Sequence, residues 1–235
     1  LQRQRGRLLT LRSSPDPEAD LREAIAAYEE ALGIFSLVAY PQAWARTQLD
    51  LGLAWQGLPN PDQAGVLEAA IGAHRSALSM LEPELFPQAW ALGQSRLGDA
   101  LADNPVGDAF ENRRRALEAY EQALTVFDPL GEPVLWARTR NGMGAALQGL
   151  PWQEPPDHIH QALAAHQDAL SVFTRQDHPV DWALTHAWLG NAVRQLPGDQ
   201  AEARFQGALL GLQRSLEVLE EQGRQRDWAA TWIKL

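Results

Sequence analysis

"PQAWARTQLDLG", residues 41–52, decides the fold because it returns. It reappears as "PQAWALGQSRLG" from Pro87, "PVLWARTRNGMG" from Pro133 and "PVDWALTHAWLG" from Pro179, and its beginning as "DWAATW" from Asp227. The tryptophans Trp44, Trp90, Trp136, Trp182 and Trp228 each stand 46 residues after the last. A tryptophan that serves one site has no reason to recur at a fixed interval. An array of supersecondary units, each buried only against its neighbours, must repeat its packing residues, with periods of about 20 to 50.

A second phrase keeps the same interval: "AIAAYEEAL" from Ala24, then "AIGAHRSAL" from Ala70, "ALEAYEQAL" from Ala116, "ALAAHQDAL" from Ala162 and "ALLGLQRSL" from Ala208. Ala24, Tyr28, Ala31, Leu32 and Phe35 follow the three-four spacing of one helical face, with charges opposite. Phe35 has equivalents at Leu81, Phe127, Phe173 and Leu219. This segment is helix B of the repeat. In the first phrase, helix A, Trp44, Leu51 and Trp55 are seven and four residues apart and are expected to share a face. The preceding proline suits a first helical turn, where its missing N–H has no partner to lose.

Between A and B lie "GLPNPDQAG", "ADNPVGDAF", "GLPWQEPPD" and "LPGDQAE", rich in turn formers and in acids suited to cap helix B. No stretch alternates as a strand. Gly52, Gly98, Gly144 and Gly190 fall inside helix A, where each costs roughly 1 kcal/mol relative to alanine. A repeated cost needs a repeated reason, and close approach of helix B, across small residues of the Ala24 and Ala31 type, is the expected one. The fold class that follows is all-α: antiparallel helix pairs in a right-handed α-solenoid. Helix A/B units are placed at about 41–82, 87–128, 133–174 and 179–222, with partial units at 1–38 and 226–235, the whole of 1–235 forming one array. The "LQRQRGRLLTL" opening, with Gly6 in register with Gly52, reads as the tail of a helix, so a fragment of a longer array is expected.

These residues carry a resemblance. Leu51, Gly52 and Trp55 look like the first-helix signature of the tetratricopeptide repeat (TPR) superfamily, and Ala24, Tyr28 and Ala31, like Ala116, Tyr120 and Ala123, look like the second. The resemblance covers almost the whole chain, but its usual period is about 34 residues. The longer cadence resembles bacterial TPR-like arrays of multidomain proteins, some preceding CHAT protease domains and others serving as sensors of signalling NTPases. It implies a non-catalytic scaffold for protein–protein interaction. Alternatively, it implies a regulatory or oligomerisation array of a larger enzyme.

Composition narrows the function classes. Lys and Arg total 20 against 30 Asp and Glu, a formal charge of −10 that argues against a nucleic-acid footprint and favours basic or neutral partners. Without cysteine there is no disulfide framework and no thiolate nucleophile or zinc ligand, which is compatible with a cytoplasmic location. No run of about 18 apolar residues occurs, so no membrane partner is expected. "NGMG" around Gly142 follows no strand and so builds no dinucleotide loop, "DHIH" at Asp157–His160 is a weak metal signal without in-register ligands, and no GxSxG, Walker loop or HExxH is present. Neither catalysis nor a cofactor is expected. His74 and His166 hold the Tyr28 position and read as packing histidines with one satisfied nitrogen.

A binding surface is the remaining candidate. Arg46, Leu49, Leu53 and Gln56 form a helix A stripe opposite Leu51, followed in register by Leu92, Ser95, Asp99 and Ala102, by Arg138, Asn141, Ala145 and Gln148, and by Leu184, Ala187, Asn191 and Arg194. In TPR folds this stripe faces the concave groove. Its mix of leucines with amide and cationic groups suits a peptide, a partner protein or another domain of the same parent, and self-association is a further expectation. Trp152 and Trp188, which do not recur, are candidate interface anchors, with core packing favoured for Trp55 and Trp188.

Overall fold

The computed structural model describes residues 1–11, 16–35, 39–59, 62–151, 157–196, 201–221 and 223, and among these every regular element is an α-helix. The helices alternate as the two phrases do. The A type comprises α1 (Gln2–Leu11), α3 (Pro41–Gly57), α5 (Pro87–Ala102), α7 (Pro133–Gln148) and α9 (Pro179–Gln195). The B type comprises α2 (Pro17–Ile34), α4 (Gln63–Leu78), α6 (Ala109–Leu124), α8 (His158–Leu170) and α10 (Ala201–Glu221).

Local chemistry sets the boundaries. The prolines at 41, 87, 133 and 179 open α3, α5, α7 and α9 in their first turn, where the fixed φ of proline is already helical. Three B helices begin under an aspartate. Asp16 accepts from the backbone N–H of Ala19, Asp62 from that of Gly65, and Asp108 from those of Phe110 and Glu111. These caps keep the 46-residue interval. α8 breaks it: Asp157 makes no capping bond and pairs instead with His160 Nδ1 at 2.8 Å.

The chain divides into two compact units, Leu1–Val126 holding α1–α6 and Phe127–Leu235 holding α7–α10. Within each, an A helix packs between its own B helix and the B helix before it. In the first unit Leu51, Ala54 and Leu58 meet Ala24, Ile25 and Tyr28 on one side, with Trp55 half-buried at the edge. On the other side Ala45 and Leu49 meet Ala77 and Leu81, flanked by Trp44 and Trp90. In the second unit Ala137, Ala169 and Phe173 are flanked by Trp136 and Trp182. Trp44, Trp136 and Trp182 thus lean on the alanine beside them and on helix B residues of the Ala31 and Phe35 type, and Trp90 leans on the preceding helix B residues of that type, Ala77 and Leu81. Trp228 lies outside the described residues, as do Trp152 and Trp232. Trp44 does not share a surface with Leu51 and Trp55, because helix A is covered on two sides and its first turn lies against the far end of its own helix B.

The recurring glycine has a different cause from the one the sequence pointed to. At Gly6, Gly52, Gly98 and Gly144 it faces a ring, not small residues, whereas the position in register with those rings beyond Gly190 is Leu212. A Cβ on Gly6 would lie 2.6 Å from Tyr28 Cε1, one on Gly98 2.7 Å from Tyr120 Cε1, and one on Gly144 2.7 Å from His166 Cε1, with His74 in the same place under Gly52. Rings at 28, 74, 120 and 166 are 0–1% exposed, so helix B inserts an aromatic side chain into the gap that each missing methyl leaves.

A helices also touch A helices, α1 against α3 and α3 against α5 in the first unit and α7 against α9 in the second, whereas among the described residues B helices make no such contact with one another. Each unit thus has an A layer, whose helices touch one another, and a B layer on its other side. The stripe residues belong to the A layer.

Candidate functional site

The stripe does not survive as one exposed surface. Arg46, Leu53, Asp99, Arg138 and Arg194 are exposed, and Gln56, Leu92, Ala102, Asn141, Ala145, Leu184 and Asn191 are partly so. Leu49 is a correction: it is 2% exposed, within the core cluster of Ala45, Ala77 and Leu81, and so does not belong to an open row of leucines. The cause is its neighbour helix. At Gly93 the backbone of α5 comes so close that a Cβ there would stand 3.3 Å from Leu49 Cδ2 and 2.9 Å from Leu78 Cδ2. Ser95, Gln148 and Ala187 are buried as well, Gln148 against Trp188 and Asn191 of the next A helix.

In the second unit the stripe residues are brought together, but to each other. Asn191 Nδ2 donates to Gln148 Oε1 at 2.9 Å, and Gln148 Nε2 donates to the Trp188 carbonyl at 3.1 Å and to His166 Nε2 at 2.6 Å. Since that nitrogen accepts, the proton of the neutral ring sits on Nδ1 and is donated to Asn141 Oδ1 at 2.6 Å. Arg194 continues the chain to Asn191 Oδ1. Arg138 forks across α7 and α9 onto both oxygens of Asp181, at 3.0 and 3.1 Å. The sequence allowed His166 one satisfied nitrogen and it has two. His74 is the simpler case: Nε2 lies 3.0 Å from Gln56 Oε1, and the buried Nδ1 makes no hydrogen bond. Burial, reinforced by the Arg96 charge, lowers its pKa to about 3.

The first unit keeps an opening. A cavity of about 400 Å³ lies between α1, α2, α3 and α5. Arg7 and Thr10 of α1, Leu21 and Tyr28 of α2, Asp50 and Leu53 of α3, and Arg96 of α5 form its walls. Asp50 is held at 2.8 Å by Arg3 and lies 3.7 Å from Arg96 Nη1. That nitrogen is buried and makes no hydrogen bond. The Tyr28 hydroxyl lies 3.3 Å from Thr10 Oγ1, and burial, the largest influence, raises its pKa.

Of these wall residues the sequence stripe contained Leu53 alone. Arg7 stands in register with Leu53, and Arg96 with Asp50, Gly142 and Trp188. An isolated arginine at a position that never repeats was a visible signal, but nothing in the sequence said that four helices converge on it.

The described residues hold no ready-made metal site. No three His, Asp or Glu side chains among them could hold an ion, and His158 is buried while His160 is engaged by Asp157. No helix among them is long and apolar enough to cross a membrane. The sequence matches no family model and no curated protein.

Proposed function

We propose that this chain is a non-catalytic interaction scaffold that binds a peptide or a partner domain along the layer of A helices, in a right-handed TPR-like array. One observation carries the reading: in the first unit the A layer keeps a walled cavity with an exposed leucine, Leu53 (45% exposed), beside charged groups. A few convergent polar groups on an apolar wall are the usual make-up of a recognition pocket. The B layer offers ordinary solvated helix surface, such as the Arg114 and Arg115 pairs with Glu111.

The test compares capture by the intact chain with capture by Leu53→Asp on the A layer and Glu121→Lys on the B layer. A partner held by the parent and by Glu121→Lys but lost from Leu53→Asp, with helical content unchanged, supports the A layer. Equal retention by all three refutes it. Arg138→Glu is a poorer probe, since it sets a second carboxylate against Asp181.

A further inference from the structure

We infer that the cavity between α1, α2, α3 and α5 seats a single carboxylate side chain of a bound peptide, with an aliphatic neighbour of that carboxylate against Leu21 and Leu53. This rests on the A-layer reading and names its ligand chemistry.

The sign of the ligand follows from the local charges. Arg7 and Arg96 line the cavity with Asp50, so two guanidiniums face one acid, while Arg3 pairs with Asp50 and Asp99 acts on Arg96 from outside the lining. Asp99 accepts the Tyr120 hydroxyl at 2.7 Å. Arg96 is only loosely paired: its side chain is 17% exposed, burial lowers its pKa although Asp50 and Asp99 oppose that shift, and its contact with Asp50 is long, at 3.7 Å. A largely desolvated guanidinium held by one long contact is costly, and an oxygen anion in the cavity beside it lowers that cost through its charge.

Arg7 is exposed at the rim, and its side chain has no hydrogen bond or ion pair among the described residues. The Tyr28 hydroxyl can turn its proton from the long Thr10 contact to the same oxygen. One residual positive charge matches one carboxylate. A phosphate dianion overcharges the cavity against Asp50, and an ammonium meets two guanidiniums. The conclusion reverses what the net charge of −10 implies for partners, because recognition is read by the few charges that line a cavity and not by the total.

The experiment titrates the intact chain with acetyl-Leu-Glu-Leu-amide and with acetyl-Leu-Gln-Leu-amide. It follows arginine Nε–H and leucine methyl resonances by NMR, alongside inorganic phosphate. The glutamate peptide is expected to shift Arg7, Arg96, Leu21 and Leu53 saturably and to bind about tenfold more tightly than the glutamine peptide. Arg7→Gln is expected to remove that tenfold preference with no change in circular dichroism. Equal binding of the two peptides, no saturable shift from either, a preference that survives Arg7→Gln, or tighter binding of phosphate than of the glutamate peptide each overturns the assignment. None of these touches the broader reading, which stands or falls on the Leu53→Asp capture.

Discussion

At the scale of single residues, the position shared by Tyr28, His74, Tyr120 and His166 shows how the same pocket constrains different chemistry. Each ring is fully covered, and each polar end finds a partner on an A helix: Thr10, Gln56, Asp99 and the Asn141–Gln148 pair. For a tyrosine this has no consequence near neutral pH, since burial only raises a pKa that is already high. For His74 it does. The unfolded chain binds a proton near pH 6.5, whereas the folded one resists it down to about 3. Stability from the neutral ring is thus complete above pH 6.5 and declines as pH falls through that window, by roughly 1.4 kcal/mol per unit. His74→Tyr, which installs the residue of the flanking repeats, is expected to abolish this share. Urea melts at pH 7.5 and pH 5.0 measure it: the parent should lose about 2 kcal/mol more than the variant between the two. An identical loss in both would mean that His74 is protonated in the folded state without penalty. His186, whose pKa burial also lowers, is common to both proteins and cancels.

At the scale of elements, the helix pairs were legible because their punctuation is local. Proline in the first turn of A and aspartate before B act within a few residues of themselves, so the sequence shows them directly. What the glycines meet was not legible. Gly6 and Tyr28 recur with the same period as every other packing residue, and periodicity cannot say which recurrent side chain crosses to which helix. The contact makes opposite demands on glycines that look alike in sequence. At Gly144 an added methyl would stand 2.7–3.0 Å from three atoms of His166, whose ring Asn141 and Gln148 hold in place. Overpacking of this kind costs about 1–3 kcal/mol, more than the roughly 1 kcal/mol that alanine returns in helix propensity. Gly72, inside α4, has nothing within 4 Å of the corresponding site. Gly144→Ala is therefore expected to lower stability and Gly72→Ala to raise it by about 1 kcal/mol. Chemical denaturation of the two variants checks the signs, and a gain at both positions removes the ring contact as the reason for the helix A glycine.

At the scale of the molecule, the candidate site was less legible than the fold because it depends on what fails to repeat. The stripe was drawn by helical spacing, which gives a residue's direction on its own helix but not the neighbour lying beside it. Leu49 and Gln148 point inward and are covered by α5 and α9. Arg96 looks unremarkable in α5 and becomes a cavity wall through α1 and α3. The same short reach of every contact sets how the chain opens. Within each unit each helix contact joins elements adjacent or next but one in the chain, so stability is a sum of local interfaces. Phe173, 1% exposed beside Ala137 and Ala169, anchors one such interface in the second unit. Phe173→Ala is expected to cost about 3–5 kcal/mol there. In hydrogen exchange the protected amides of α7, α8 and α9 should then open about a hundred to a few thousand times more often, while those of α1–α5 keep their protection. Equal loss of protection across α1–α9 would show that the chain unfolds as one cooperative body and that its interfaces are not energetically local.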